Sequence, residues 1–152
     1  MSRGACAVHL ETKSIPLETV VISCKAEAGQ PTRVSGWASV FNLVDVHRDI
    51  VAPGAFTESL ALWKEERRLP PMLLEHKGPP IGRWTAMREA GKGLWVEGEL
   101  TPGMRLAEDV AASLRHGAID GLSIGYRAYK DQTAARTGIR TLSRLHLREI
   151  SI

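Results

Sequence analysis

Gly121-Leu122-Ser123-Ile124-Gly125-Tyr126 sets a small hydroxyl side chain between two glycines, with apolar residues on either side. Glycine has no side chain to crowd a neighbour, so another backbone can approach Ser123 closely from both directions. The stretch fits the Gly-x-Ser-x-Gly pattern of a nucleophile elbow, and it equally fits a strand with a glycine at each end. The residues just after the serine decide the fold. An elbow in a parallel sheet needs a helix immediately after it, and its histidine comes later in the chain. Here Tyr126-Arg127-Ala128-Tyr129 continues as strand, and the best-placed histidine precedes the serine. Asp120 to Tyr129 therefore reads as a strand, and the doubly wound parallel sheet is set aside.

Working outward, Lys130 to Gly138 is polar and reads as a loop, and Ile139 to Ile152 as a last long strand with a break near Ser143. Upstream, Met104 to His116 carries an apolar stripe of Leu106, Val110 and Leu114, with Ala111 beside it, and Gly117 stands at the helix C-cap. Ile81–Met87 and Leu94–Leu100 read as strands joined through Glu89-Ala90-Gly91-Lys92-Gly93, a hairpin signal. Met72-Leu73-Leu74 is a short strand running into Glu75-His76, with a turn at Lys77-Gly78-Pro79-Pro80. Phe56, Leu60 and Trp63 fall at helical spacing in an amphipathic segment, Thr57–Arg68, stopped by Pro70-Pro71. Arg33–Phe41 and Leu17–Lys25 read as strands separated by a turn at Glu27–Pro31, and residues 1–16 as a loose arm before a single unit over 17–152. The inventory is six to eight strands and two helices without regular alternation. It predicts an α+β fold: a mostly antiparallel barrel or sheet with two packed helices.

The 152 residues suffice for one domain with a real core, and 43% hydrophobic with 24% charged residues is ordinary for a globular chain. Twenty Lys and Arg against 17 Asp and Glu leave a net charge of +3, too little to argue for a nucleic-acid partner. No apolar run approaches the roughly 18 residues that span a bilayer, and no secretory signal is visible, so no membrane partner is expected. Cys6 and Cys24 lie in no metal or redox motif and read as reduced thiols. No cofactor is expected. Asp45, His47 and Asp49 alternate in a polar stretch, Asn42–Ala52, and could offer oxygen and nitrogen to a divalent metal. No second group completes the shell, and carboxylates pairing with nearby arginines is the simpler reading.

A serine hydroxyl needs a base to take its proton. Of His9, His47, His76, His116 and His146, the best placed is His76, at the end of an apolar strand beside a Gly-Pro-Pro turn; a surface or hydrogen-bonded histidine there is the plain alternative. His116 is explained by its helix C-terminus, where the dipole favours an imidazolium. In Leu145-His146-Leu147-Arg148-Glu149-Ile150-Ser151-Ile152, strand alternation puts Glu149 on one face with Leu145 and Leu147. A carboxylate on an apolar face wants a partner, either an imidazole N–H or an arginine. Backbone N–H groups near the glycines, or one of Arg140, Arg144 and Arg148, could serve a developing oxyanion.

Several blocks, in order, carry a resemblance: Gly36-Trp37-Ala38-Ser39-Val40-Phe41, Asp49-Ile50-Val51-Ala52-Pro53-Gly54-Ala55-Phe56, Leu74-Glu75-His76 with Pro80-Ile81-Gly82-Arg83-Trp84, the Ser123 stretch, and Leu147-Arg148-Glu149-Ile150-Ser151. Together they resemble the HK97-type prohead serine proteases of tailed bacteriophages (caudoviruses), whose genes also occur in prophages and gene transfer agents. The resemblance implies a serine protease working inside the assembling prohead, in the host bacterial cytoplasm. It would cut scaffold segments from the coat protein, and then itself. It implies a fold like the herpesvirus assembly protease, a β-barrel flanked by helices. Ser123 matches the nucleophile and His76 the base. Glu149 occupies the Leu-x-Glu-[Ile/Val]-Ser block and is favoured as third member; His146 would instead mimic the herpesvirus Ser-His-His set. Capsid and scaffold proteins are the implied partners, with a homo-oligomer left open. The family's Glu-Ile-Ser strand runs on into a Val-Thr-x-Pro-Ala-Asn-like stretch, which trimming or self-cleavage would remove. The competing reading is a non-catalytic assembly module that binds scaffold peptides along its sheet edges.

Overall fold

The computed structural model describes residues 11–14, 23–28 and 30–152. The strands are β1 (Glu11–Ser14), β2 (Ser23–Lys25), β3 (Arg33–Val40), β4 (Asp49–Val51), β5 (Pro71–Leu74), β6 (Lys77–Ala90), β7 (Gly93–Leu100), β8 (Ser123–Thr133) and β9 (Arg140–Ser151). The helices are α1 (Thr57–Glu65) and α2 (Arg105–His116). One sheet takes the order β1-β8-β9-β5-β6-β7-β3-β2. β9 is its ruler. It pairs antiparallel with β8 along one edge and parallel on the other with β4 at Arg140–Leu142 and with β5 at Ile150 and Ser151.

The expected mixed, mostly antiparallel α+β architecture is present. The expected barrel is not closed: among the described residues the strand path runs open from β1 to β2. Part of the expected arm is ordered into the sheet, because residues 11–14 pair with β8. Of the strand expected over Leu17–Lys25, residues 17–22 lie outside the described residues and Ser23–Lys25 form β2. Cys6 and His9 also lie outside them; Cys24 is a free thiol whose pKa is raised by burial.

Between the ends of β4 and β5, β9 has no strand on that edge among the described residues, and α1 fills the gap. Ser59, buried at 1%, accepts the Leu147 N–H through its hydroxyl at 2.9 Å, and Trp63 Nε1–H donates to the Leu147 carbonyl at 3.0 Å. The Leu145 N–H reaches the Ala55 carbonyl at 3.1 Å. Side chains of a helix thus replace the missing ladder. α1 ends earlier than the predicted Thr57–Arg68, at a Glu66 cap, and Arg67 turns to φ 53°.

α2 buries Ala107, Val110, Ala111 and Leu114, a stripe at i, i+3, i+4 and i+7. Leu106, expected on that stripe, is exposed, one position off the buried arc. Gly117 closes the helix at φ 79°, a left-handed cap that only glycine adopts without strain. The central core is Phe56, Met72, Ile81, Leu94, Ile124, Tyr126, Leu142, Leu145, Leu147 and Ile150, where the sheet's inner face meets the helices. No helix among the described residues is long and apolar enough to cross a membrane.

Candidate active site

The β5–β6 hairpin turns one step earlier than expected. Leu74 pairs with Lys77, so the loop is the two residues Glu75 and His76, and Lys77-Gly78-Pro79-Pro80 already belongs to β6. Both loop residues have positive φ, 48° and 63°, as a type I′ turn requires. Asn-Gly is the usual occupant; holding Glu and His there costs on the order of 1–3 kcal/mol each, a strain that concentrates at functional sites. The turn is tied to the end of β9: the Glu75 N–H donates to the Ile152 carbonyl, and the Ile152 N–H to the Leu73 carbonyl, both at 3.0 Å.

β8 reaches the same place from the other side. Its register sets Ser123 opposite Ser151 and Gly125 opposite Glu149. Tyr126 then pairs with Leu147, so Arg148 is an extra residue on β9, a bulge. The bulge corrects the expected alternation. By register Leu147 shares the face of Tyr126, in the core, whereas Glu149 shares the opposite face with Ser123, Gly125 and Ser151. Leu147 is the residue whose N–H and C=O are taken by α1, so the helix holds the bulge that re-aims Glu149.

The three candidate residues meet. Ser123 Oγ lies 2.7 Å from His76 Nε2, and His76 Nδ1 lies 2.5 Å from Glu149 Oε1. A carboxylate can only accept, so Nδ1 carries the proton and the Nε2 lone pair faces the serine hydroxyl. The Glu149 side chain is 5% exposed and that of His76 22%. Burying a carboxylate is costly unless hydrogen bonds compensate. Glu149 receives one from the imidazole and a second from Ser151, whose hydroxyl donates to Oε2 at 2.5 Å and accepts the His76 N–H at 3.1 Å. Ser151 was missed in the sequence, where it read only as part of the Glu-Ile-Ser block. Gly125 explains the second glycine: a Cβ there would collide with the carboxylate of Glu149. A groove of about 400 Å³ opens over the serine, lined by Glu75, His76, Ile119, Gly121, Leu122 and Ile152, among others.

The other candidates are elsewhere. His146 stacks on Trp63, ring centroids 6.2 Å apart and 7° from parallel, and burial lowers its pKa, helped by the charge of Arg148. Arg140 is held by Asp49 at 2.6 Å, by Asp131 at 3.2 Å and by Glu11. Its pKa is raised, chiefly by the hydrogen bonds it donates to the Asp49 carboxylate. Arg144 faces Glu58 at 3.5 Å and Arg148 sits exposed on the bulge, so none of these three arginines lines the groove. Asp45 accepts the N–H groups of His47 at 2.9 Å and Asp49 at 2.8 Å, which shapes the loop into β4. Among the described residues no three acidic, His or Cys side chains are grouped to hold a metal ion.

Hydroxyl, imidazole and carboxylate in series, on a mixed, mostly antiparallel sheet, have the geometry of the Ser-His-acid hydrolase class. Residues 19–152 match the profile of the caudovirus prohead serine proteases, and the chain belongs to that family. The prohead protease of Enterobacteria phage HK97 is 42% identical over 120 residues, covering 77% of this chain and 52% of that protein, so the chain spans about half its length. The solved capsid assembly protease of bacteriophage T4 superposes with a TM-score of 0.63 over 93% of this chain and 98% of that one; at 13% identity the likeness is one of fold.

Proposed function

We propose that the chain is a serine endopeptidase that matures a phage-type capsid precursor, with Ser123 as nucleophile, His76 as general base and Glu149 as its orienting acid. The observation that carries this reading is the continuous relay from Ser123 Oγ through both nitrogens of His76 to Glu149. In the first step Ser123 attacks a peptide carbonyl while His76 Nε2 takes its proton. Glu149 fixes the tautomer and stabilises the imidazolium. Collapse of the tetrahedral intermediate passes that proton to the leaving amine and forms an acyl-enzyme, and water, activated by the same imidazole, releases it. Main-chain N–H groups of residues 120–123, on the groove wall, are the donors for the oxyanion.

Residues 17–152 form the working unit. Its substrates are coat and scaffold proteins, and then the chain itself, inside the assembling prohead in the host cytoplasm; it can act as a homo-oligomer, without nucleic acid or membrane. Two packed helices and a histidine preceding the serine support kinship with the herpesvirus assembly protease fold. The test is Ser123→Ala co-expressed with the coat and scaffold proteins: cleavage should vanish. A fluorophosphonate should label Ser123 in the parent chain. Cleavage that survives in Ser123→Ala, or absent labelling, would favour the scaffold-binding module instead.

A further inference from the structure

A strand that begins at the nucleophile has two edges. One edge of β8 belongs to β9; the other is covered by β1, whose register runs from Glu11 opposite Tyr126 to Ser14 opposite Ser123. β1 precedes the block that matches the family, which begins at residue 19. It is short, and its described side-chain anchor is the Glu11 carboxylate on Arg140, with both side chains about one-third exposed. A single part-buried ion pair is a modest latch. An extended peptide added to this edge would gain the same ladder and bring its backbone past Ser123 beside the groove.

We infer that the β8 edge from Ser123 to Tyr126 is the seat of the substrate strand, and that residues 11–14 are its intramolecular occupant. The inference rests on Ser123 as nucleophile and says how a peptide reaches it. A tethered segment competes at high effective concentration, so a free peptide binds well only once β1 is loosened. Alternate residues of a strand donate toward a given neighbour, so replacing both Thr12 and Lys13 by proline removes one ladder donor whichever of them it is.

The test uses the full chain carrying Ser123→Ala and a fluorescein-labelled peptide copying residues 8–17, read by anisotropy. Adding Glu11→Arg, Thr12→Pro and Lys13→Pro together should tighten peptide binding on the order of tenfold or more over the β1-intact chain, with a scrambled peptide failing to bind. Glu11→Arg alone, which leaves the backbone untouched, should give a gain of roughly threefold. Equal affinity in all three chains, or no binding to the triple variant, would overturn the seat and leave β1 as a plain edge cover. With Ser123 restored, the variants should keep the parent's fluorophosphonate labelling. If the triple variant loses it, Glu11→Arg decides. Peptide binding in the expected order supports the seat even if the parent resists the phosphonate, a result that would overturn only the nucleophile assignment.

Discussion

Ser151 shows how much of a candidate active site can hide in one hydroxyl. It touches both partners of the relay, accepting from the backbone of His76 and donating to the carboxylate of Glu149. Ser151→Ala would leave the His76 N–H and one carboxylate oxygen short of a partner. Stability should fall by about 1–3 kcal/mol, and a misplaced base should lower kcat/KM on the order of 10- to 100-fold. Phosphonate labelling of Ser123 should slow in parallel. A variant that is less stable yet labels at the parent rate would make Ser151 merely structural. The sequence did point to Ser123, His76 and Glu149, because each stands in a short block with chemical meaning. Ser151 carried no such signal, since a serine at a strand end is ordinary until its two neighbours are known. The reason for Gly125 was equally hidden: the side chain it must avoid lies across a ladder, on a residue distant in sequence.

At the level of elements, strands and helices were legible where periodicity was strong, and turns were less so. The Glu75-His76 turn was misplaced because Gly-Pro-Pro is a stronger local turn signal than Glu-His, yet pairing puts the prolines in a strand. The β9 bulge was invisible for a similar reason. Alternation alone set Glu149 beside Leu147, and only the hydrogen bonds that α1 makes to Leu147 show why β9 gains a residue there. The bulge should therefore depend on the helix. Ser59→Ala removes the acceptor of a buried N–H and should cost about 1–3 kcal/mol in urea unfolding, with the m-value unchanged. Because the bulge aims Glu149, labelling of Ser123 should slow as well. A stability loss near zero would mean that the Leu147 amide finds another acceptor and that α1 does not fix the strand.

For the molecule as a whole, the order His, Ser, Glu along the chain was readable, but their convergence is a property of the sheet. β9 lies between the strand that starts at Ser123 and the strand that leads into His76, so anything that loosens β9 against α1 loosens the site. His146 sits in that joint, against Trp63 and 6.3 Å from Tyr129. Burial, and after it Arg148, lowers its pKa, while Glu66 and Glu58 pull weakly the other way. The sign is set by proton uptake. The unfolded chain protonates this imidazole near its ordinary value of about 6.5, and the folded chain only at lower pH. Between those values the unfolded state holds more protons, so stability declines as pH falls through the ordinary imidazole range and levels off below the folded value. In His146→Gln this component is gone. Melting temperatures recorded from neutral to mildly acidic pH should fall less steeply in the variant than in the parent, the two curves drawing together on the acid side. Parallel curves would show that the joint takes up its proton as readily folded as unfolded, and that the acid sensitivity of the sheet resides elsewhere.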